Sequence, residues 1–151
     1  MRRTCMAIAV AALVAMPAAA SPRTDVMATV RQFVNSFNRG DKKTAATACA
    51  DKTYIIDEFP PHEWHGAGAC LEWMNAYDAN ARKTGVTNGK VTLGPVRHID
   101  ITGGRAYVVV PANYFYRLKG KPVREIGSMF NVVLQKGATG WRIVAWCWTK
   151  R

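Results

Sequence analysis

Asp57 and Glu58 stand side by side at the end of the apolar run "YII", and His62 and His65 follow within eight positions in "DEFPPHEWHG". A carboxylate at the mouth of an apolar cavity loses hydration. Its pKa rises, and it becomes a base able to take a proton from an activated C–H. On a strand Asp57 points with Ile55 and Phe59, while Glu58 points with Tyr54 and Ile56, so only one acid faces a given side. Adjacency therefore disfavours a glycosidase-type carboxylate pair, and Asp57 is the candidate general base. A structural role for Asp57, capping the turn or pairing with an arginine, stands beside the catalytic one.

The histidines do not make a metal set. His62 and His65 flank Glu63 on a segment broken by Pro60-Pro61, His98 lies far along the chain, and there is no C-x-x-C. Structural zinc takes four ligands. No metal is expected, and the imidazoles read as solvated groups on a lid loop or as caps of the next helix. The chain has no G-x-S-x-G, phosphate-binding loop or dinucleotide fingerprint, so no cofactor is expected. Cys147, between Trp146 and Trp148, sides by alternation with Ile143 and Ala145, which places it in the core.

The elements that must hold these groups can be read from period and punctuation. Val26, Val30, Phe33, Val34 and Phe37 form a stripe at helical period, capped by Thr24 or Asp25 and stopped by Gly40. Asp41 caps a short helix over "KKTAATACA", and "KTYIIDEF" is a strand broken by the two prolines. A third helix begins between Gly66 and Ala69 and ends before Gly85, with Leu71, Met74, Tyr77 and Ala81 along one side and Trp73 adjacent. "KVTLGPVRHIDI", "RAYVVVPANYFYRL", "VREIGSMFNVVLQ" and "WRIVAWCWTK" are then four strands separated by glycine turns, hence antiparallel hairpins. Pro111 and Gly127 fall inside strand patterns and mark edges or bulges that curl the sheet. Helices followed by such a sheet give an α+β domain in which three N-terminal helices pack on a curved antiparallel sheet. A sheet bent over helices encloses a hollow, and Phe33, Phe37, Trp73, Tyr77 and Phe130 can line its inner end.

Residues 1–20 read as a signal peptide. Arg2 and Arg3 precede the short apolar run "CMAIAVAALVAM", and Ala18–Ala20 offer small residues for cleavage before Ser21. Cys5 stands at the head of that run rather than at the cleavage point, which speaks against a lipid anchor. The expectation is an exported protein, periplasmic or secreted, with one domain over 21–151. No later stretch is apolar enough for a membrane span. Loss of Arg2 and Arg3 lowers the net charge from +11 to +9. The cations are scattered, and the densest group, Arg117–Arg124, is a solvated hairpin turn without an aromatic stacking platform; no nucleic-acid partner is expected. Cys49, Cys70 and Cys147 remain. Either Cys49 and Cys70 pair across the strand they flank, or all three pack as buried thiols.

The order helix, helix, strand, helix, meander resembles the nuclear transport factor 2-like superfamily, the cone-shaped fold of SnoaL-like cyclases and ketosteroid isomerases. The resemblance covers nearly all of 21–151 and is carried by "VRQFVNSFNRGD" and "CADKTYIIDEFPPHEWHG". It implies that Asp57 falls where the isomerases keep their proton-transferring carboxylate. It also implies that Phe33 and Ser128 fall where those enzymes keep a tyrosine and a protonated aspartate. Phe33 donates no hydrogen bond, and losing one such donor costs about 3–4 kcal/mol of barrier, so steroid isomerisation by that route is not expected.

These readings converge on a SnoaL-like domain that binds a small lipophilic molecule in a cavity near Asp57, with Phe33, Phe37, Tyr54, Trp73, Tyr77, Ser128 and Phe130 as ligand contacts. The alternatives are an isomerase, cyclase or dehydratase using Asp57 as base, and a homodimerisation module. Apolar residues on both faces of the strands favour a homodimer through the sheet.

Overall fold

Helix α1 (Pro22–Asn38) begins where the Ser21 hydroxyl accepts the Thr24 amide at 3.3 Å. Ser21, rather than Thr24 or Asp25, is the cap because Pro22 follows it: proline lacks the N–H that a first-turn residue would leave unpaired. Val26, Val30, Phe33 and Val34 are buried along one stripe, as the period predicts. Gly40 turns the chain at φ +70°, and the Asp41 carboxylate caps α2 (Lys42–Thr47) by accepting the Thr44 amide at 3.0 Å. This computed structural model describes residues 21–151; the signal-peptide expectation falls on residues 1–20, outside them.

After α2 come β1 (Cys49–Ile56), β2 (Glu63–Ala67) and α3 (Ala69–Thr84). The meander follows: β3 (Val86–Leu93), β4 (His98–Thr102), β5 (Arg105–Leu118), β6 (Lys121–Gly137) and β7 (Gly140–Thr149). The strands form one curved, unclosed sheet in the order β2-β1-β7-β6-β5-β3, with β4 also paired to β5. The domain is α+β as expected, with two corrections. The sheet is mixed, because β1 runs parallel to β7. The presumed lid after the prolines contains β2, an antiparallel partner of β1 with Trp64 opposite Ile55.

The segment read as one strand, "KVTLGPVRHIDI", is two, because β3 and β4 pair with opposite halves of β5. Pro111 sits between those halves, where its missing N–H disturbs neither ladder. Helices α1 and α3 pack on the inner face, which carries Ala106, Val108 and Val110 of β5 and Phe130, Val132 and Leu134 of β6. Each fully buried valine or leucine contributes about 1.5–3 kcal/mol. On α3 the buried side holds Trp73 and Met74; Leu71, expected there, is exposed.

Two bulges shift which residues face inward. In β6, Ile126 and Gly127 form an extra step against Asn113, with Gly127 at φ +84° and its amide donated to Asn113 Oδ1 at 3.0 Å. The step brings Glu125 to the same side as Ser128. In β7 a second irregularity at Val144 turns Trp146 and Trp148 inward. Cys147 therefore pairs beside Ile56 on the outer side as a half-buried free thiol, which corrects its expected place in the core.

Candidate functional site

The curved sheet and the helices leave an open cavity of about 380 Å³, within the range of small-molecule sites. Ten of its lining residues are aromatic. Helix α1 contributes Phe33 and Phe37, α3 contributes Trp73 and Tyr77, and Phe59 comes from the turn after β1. The sheet supplies Tyr114, Tyr116, Phe130, Trp146 and Trp148. Phe33 stacks on Phe130 with centroids 6.3 Å apart, and Trp73 meets Trp146 edge-on at 4.7 Å, so the inner end is a continuous aromatic floor.

Asp57 lines this cavity together with Glu58. Strand β1 ends at Ile56, so strict alternation no longer applies, and both acids reach the same space. This corrects the expectation that only one would. The turn is held closed by the Asp57 amide donating to the His62 carbonyl at 3.0 Å and the His62 amide donating to the Phe59 carbonyl at 2.9 Å. Asp57 Oδ1 accepts the Glu58 amide at 2.7 Å, and Oδ2 accepts Trp73 Nε1 at 2.7 Å. Burial pushes the Asp57 carboxyl up to about 6, against the lowering effect of those two bonds; the charges of Glu58 and Glu125 add to the rise. A carboxyl of that pKa serves as a base near neutrality.

Glu58 and Glu125 share one ammonium. Lys150 Nζ lies 2.7 Å from Glu58 Oε2 and 3.2 Å from Glu125 Oε2. Burial raises the Glu58 carboxyl despite its bond to Lys150. Burial also opposes the charge on Glu125, but bonds from Ser128 Oγ (2.6 Å), Trp148 Nε1 (2.8 Å) and Lys150 outweigh it and hold that carboxyl below its usual range. Lys150 is held above the usual ammonium range, first by its bond to Glu58. Glu125 and Lys150 escaped sequence reasoning: the first faces inward only because of the bulge, and the second follows the last strand.

Elsewhere on the cavity wall, Tyr77 and Tyr114 join their hydroxyls at 2.5 Å. Both phenols are pushed above their ordinary range by burial. One hydroxyl donates within the pair, which leaves the other proton free for a ligand oxygen. Gly89 of β3 makes the pair possible, since a Cβ there would collide with the Tyr77 hydroxyl and lie 2.7 Å from that of Tyr114.

Of the residues singled out in the sequence, Asp57, Phe33, Phe37, Trp73, Tyr77 and Phe130 are brought together around the cavity. Tyr54 is not. It is 65% exposed and lies against His65 of the β1–β2 hairpin, because its parity on β1 is that of Ile56 rather than of buried Ile55. Ser128 is fully buried behind the wall, where its hydroxyl serves Glu125. Cys49 and Cys70 are joined as a disulfide that ties the start of β1 to the start of α3. Among the described residues no three His, Cys, Asp or Glu side chains gather as metal ligands would, and no helix is long and apolar enough to cross a membrane.

No protein-family model and no curated protein matches the sequence. Solved structures match the fold. A nuclear transport factor 2-like superfamily protein from Salmonella enterica serovar Typhimurium is 18% identical with a TM-score of 0.71, over 85% of this chain and 90% of that one. A candidate dehydratase of the same family from Streptomyces avermitilis is 20% identical with a TM-score of 0.69, over 87% and 99%. A ketosteroid isomerase-like protein from Erwinia carotovora is 19% identical with a TM-score of 0.60, over 83% and 93%. The chain has the nuclear transport factor 2-like fold.

Proposed function

On that fold, we propose that the protein is an exported binder of a small lipophilic molecule, held in the aromatic cavity beside Asp57. The observation that carries this reading is the cavity itself: about 380 Å³, half of its lining aromatic, with few polar groups converging on it. Native mass spectrometry of the protein purified from its own host tests it. A co-purifying lipophile released on denaturation is the expected result. Repeated recovery of empty protein that also fails to take up added lipophiles counts against it.

A second reading is catalytic, favoured by the pairing of a raised carboxyl at Asp57 with the Tyr77–Tyr114 phenols in one cavity. Asp57 would take a proton from carbon while a phenol donates to the developing oxyanion, the chemistry of isomerases, cyclases and dehydratases. The solved relatives include proteins described in those terms. Asp57→Asn would abolish turnover, and an unchanged rate in that variant would end the catalytic reading.

The outer side of the sheet supports a homodimer as the protein's partner, since Ile56 and Tyr107 are exposed there and Cys147 is half-buried. Light scattering with and without Tyr107→Lys tests it; a wild-type monomer at micromolar concentration would end that proposal.

A further inference from the structure

The charges around the cavity are distributed unlike those of the rest of the molecule. Residues 21–151 carry 19 Lys and Arg against 10 Asp and Glu, yet among the described residues no Lys, Arg or His lines the cavity. Among the described residues its charged lining side chains are Asp57 and Glu58. Glu58 already has a cation in Lys150 at 2.7 Å. Asp57 has none among the described residues, since its two oxygens accept only the neutral N–H groups of the Glu58 backbone and the Trp73 indole. The cavity therefore holds one carboxylate without a counter-charge.

Around that carboxylate the rings are closely set. Phe37 lies 5.1 Å from Trp73 and 4.9 Å from Tyr77, and Trp73 lies 6.1 Å from Tyr77, between centroids. Aromatic faces attract cations, and clustered rings are how proteins hold ammonium groups. A neutral lipophile would bury the Asp57 charge unpaired, and an anionic one would meet a like charge, both unfavourable in a poorly hydrated site. The positive charge elsewhere does not reverse this, because salt screens it beyond about 8–10 Å.

We infer that the occupant is a lipophilic cation: a protonated amine or quaternary ammonium on an apolar body, its charge set against Asp57 within the Phe37, Trp73 and Tyr77 rings. This rests on reading the cavity as a ligand site and names the class of ligand.

The test compares decyltrimethylammonium, 1-decanol and decanoate below their micellar concentrations. Binding is read as one-to-one quenching of tryptophan fluorescence and by calorimetry. At pH 7.5 the ammonium is expected to bind at least about tenfold more tightly than the other two. Lowering the pH to 5 weakens it about tenfold, because the Asp57 carboxyl, pushed up to about 6, takes a proton in place of the cation. The other groups set against Asp57 are Glu58 on the same turn, Glu125 of β6, Tyr77 of α3, Lys150 after β7, and His62, whose Nδ1 is 3.2 Å from the Asp57 carbonyl. His62→Gln is expected to leave the preference and the pH response in place. Asp57→Asn removes both the preference and the pH response, whereas Glu58→Gln, at an acid already paired, changes them less. Should Asp57→Asn not fold, the three-ligand comparison on the unaltered protein decides. Equal or tighter binding of decanol or decanoate overturns the cation inference and leaves the lipophile reading standing; no binding by any of the three overturns both.

Discussion

Trp73 Nε1 donates to Asp57 Oδ2 at 2.7 Å, so the first turn after β1 is anchored near the start of α3 by a carboxylate that has no cation beside it among the described residues. Burial outweighs that bond, and the sign of the pH effect is opposite to the usual carboxylate case. Asp57 has a folded pKa of about 6 against an ordinary 3.8, so the folded state holds its proton more tightly than the unfolded chain does. Stability from this group is full below pH ~4 and is lost as the pH rises through 6, by up to about 3 kcal/mol. Asp57→Asn should flatten that decline. Urea denaturation of both proteins between pH 4 and 8 checks it, and parallel pH curves would remove the argument.

Lys150 balances two carboxylates, one of them almost fully buried. Lys150→Met leaves Glu125 without its cation beside Glu58, and should destabilise by about 1–2 kcal/mol at pH 7, between the values for exposed and buried pairs. Glu125 has a lowered folded pKa, so this contribution is present above its unfolded pKa and fades as the pH falls through the folded value. Thermal unfolding at pH 7 and pH 3.5 measures it; a loss of equal size at both values would assign Lys150 a packing role instead.

Gly89→Ala should part the two phenols. The added methyl collides with the Tyr77 hydroxyl and crowds that of Tyr114, and overpacking of this kind costs about 1–3 kcal/mol. The informative readout is ultraviolet titration, in which separation of the pair lets Tyr114 ionise at lower pH. Unchanged phenol titration would mean that the wall yields elsewhere.

The Cys49–Cys70 bridge spans a separation of 21 residues, for which chain-entropy arguments give about 3 kcal/mol. Replacing both cysteines by alanine should lower the urea midpoint accordingly, and reducing agent should shift the unaltered protein in the same direction. A reducing agent without effect would show that the bridge adds nothing to folding.

Much of this arrangement was legible in the sequence because it is local. The stripe from Val26 to Phe37 has a helix's period, the Val- and Tyr-rich runs have a strand's, and glycines separate them, so α1, α3 and the meander follow from pattern alone. Strand β2 did not, since Trp64 is its one buried apolar residue and the preceding prolines read as loop; it exists because the edge of β1 needs a partner. The parallel pairing of β1 with β7 is a long-range choice with no local mark. Cys147 and Glu58 were misplaced, and Glu125 was missed, for one shared reason: alternation assumes an unbroken ladder, and each lies beside a bulge or a strand end. Asp57 and the aromatic floor were found because their chemistry is local to each residue, whereas Lys150 acquires its role only from what the fold sets beside it.

The irregular step at Ile126–Gly127 also makes the outer half of β6 separately adjustable. Removing one residue there would rotate the strand's start by half a pleat, exchanging Glu125 for its neighbour on the inner side. The long stretch from Ser128 to Gly137 would keep its phase. A single-codon deletion is thus enough to rewrite the polarity behind Trp148 while sparing the aromatic floor.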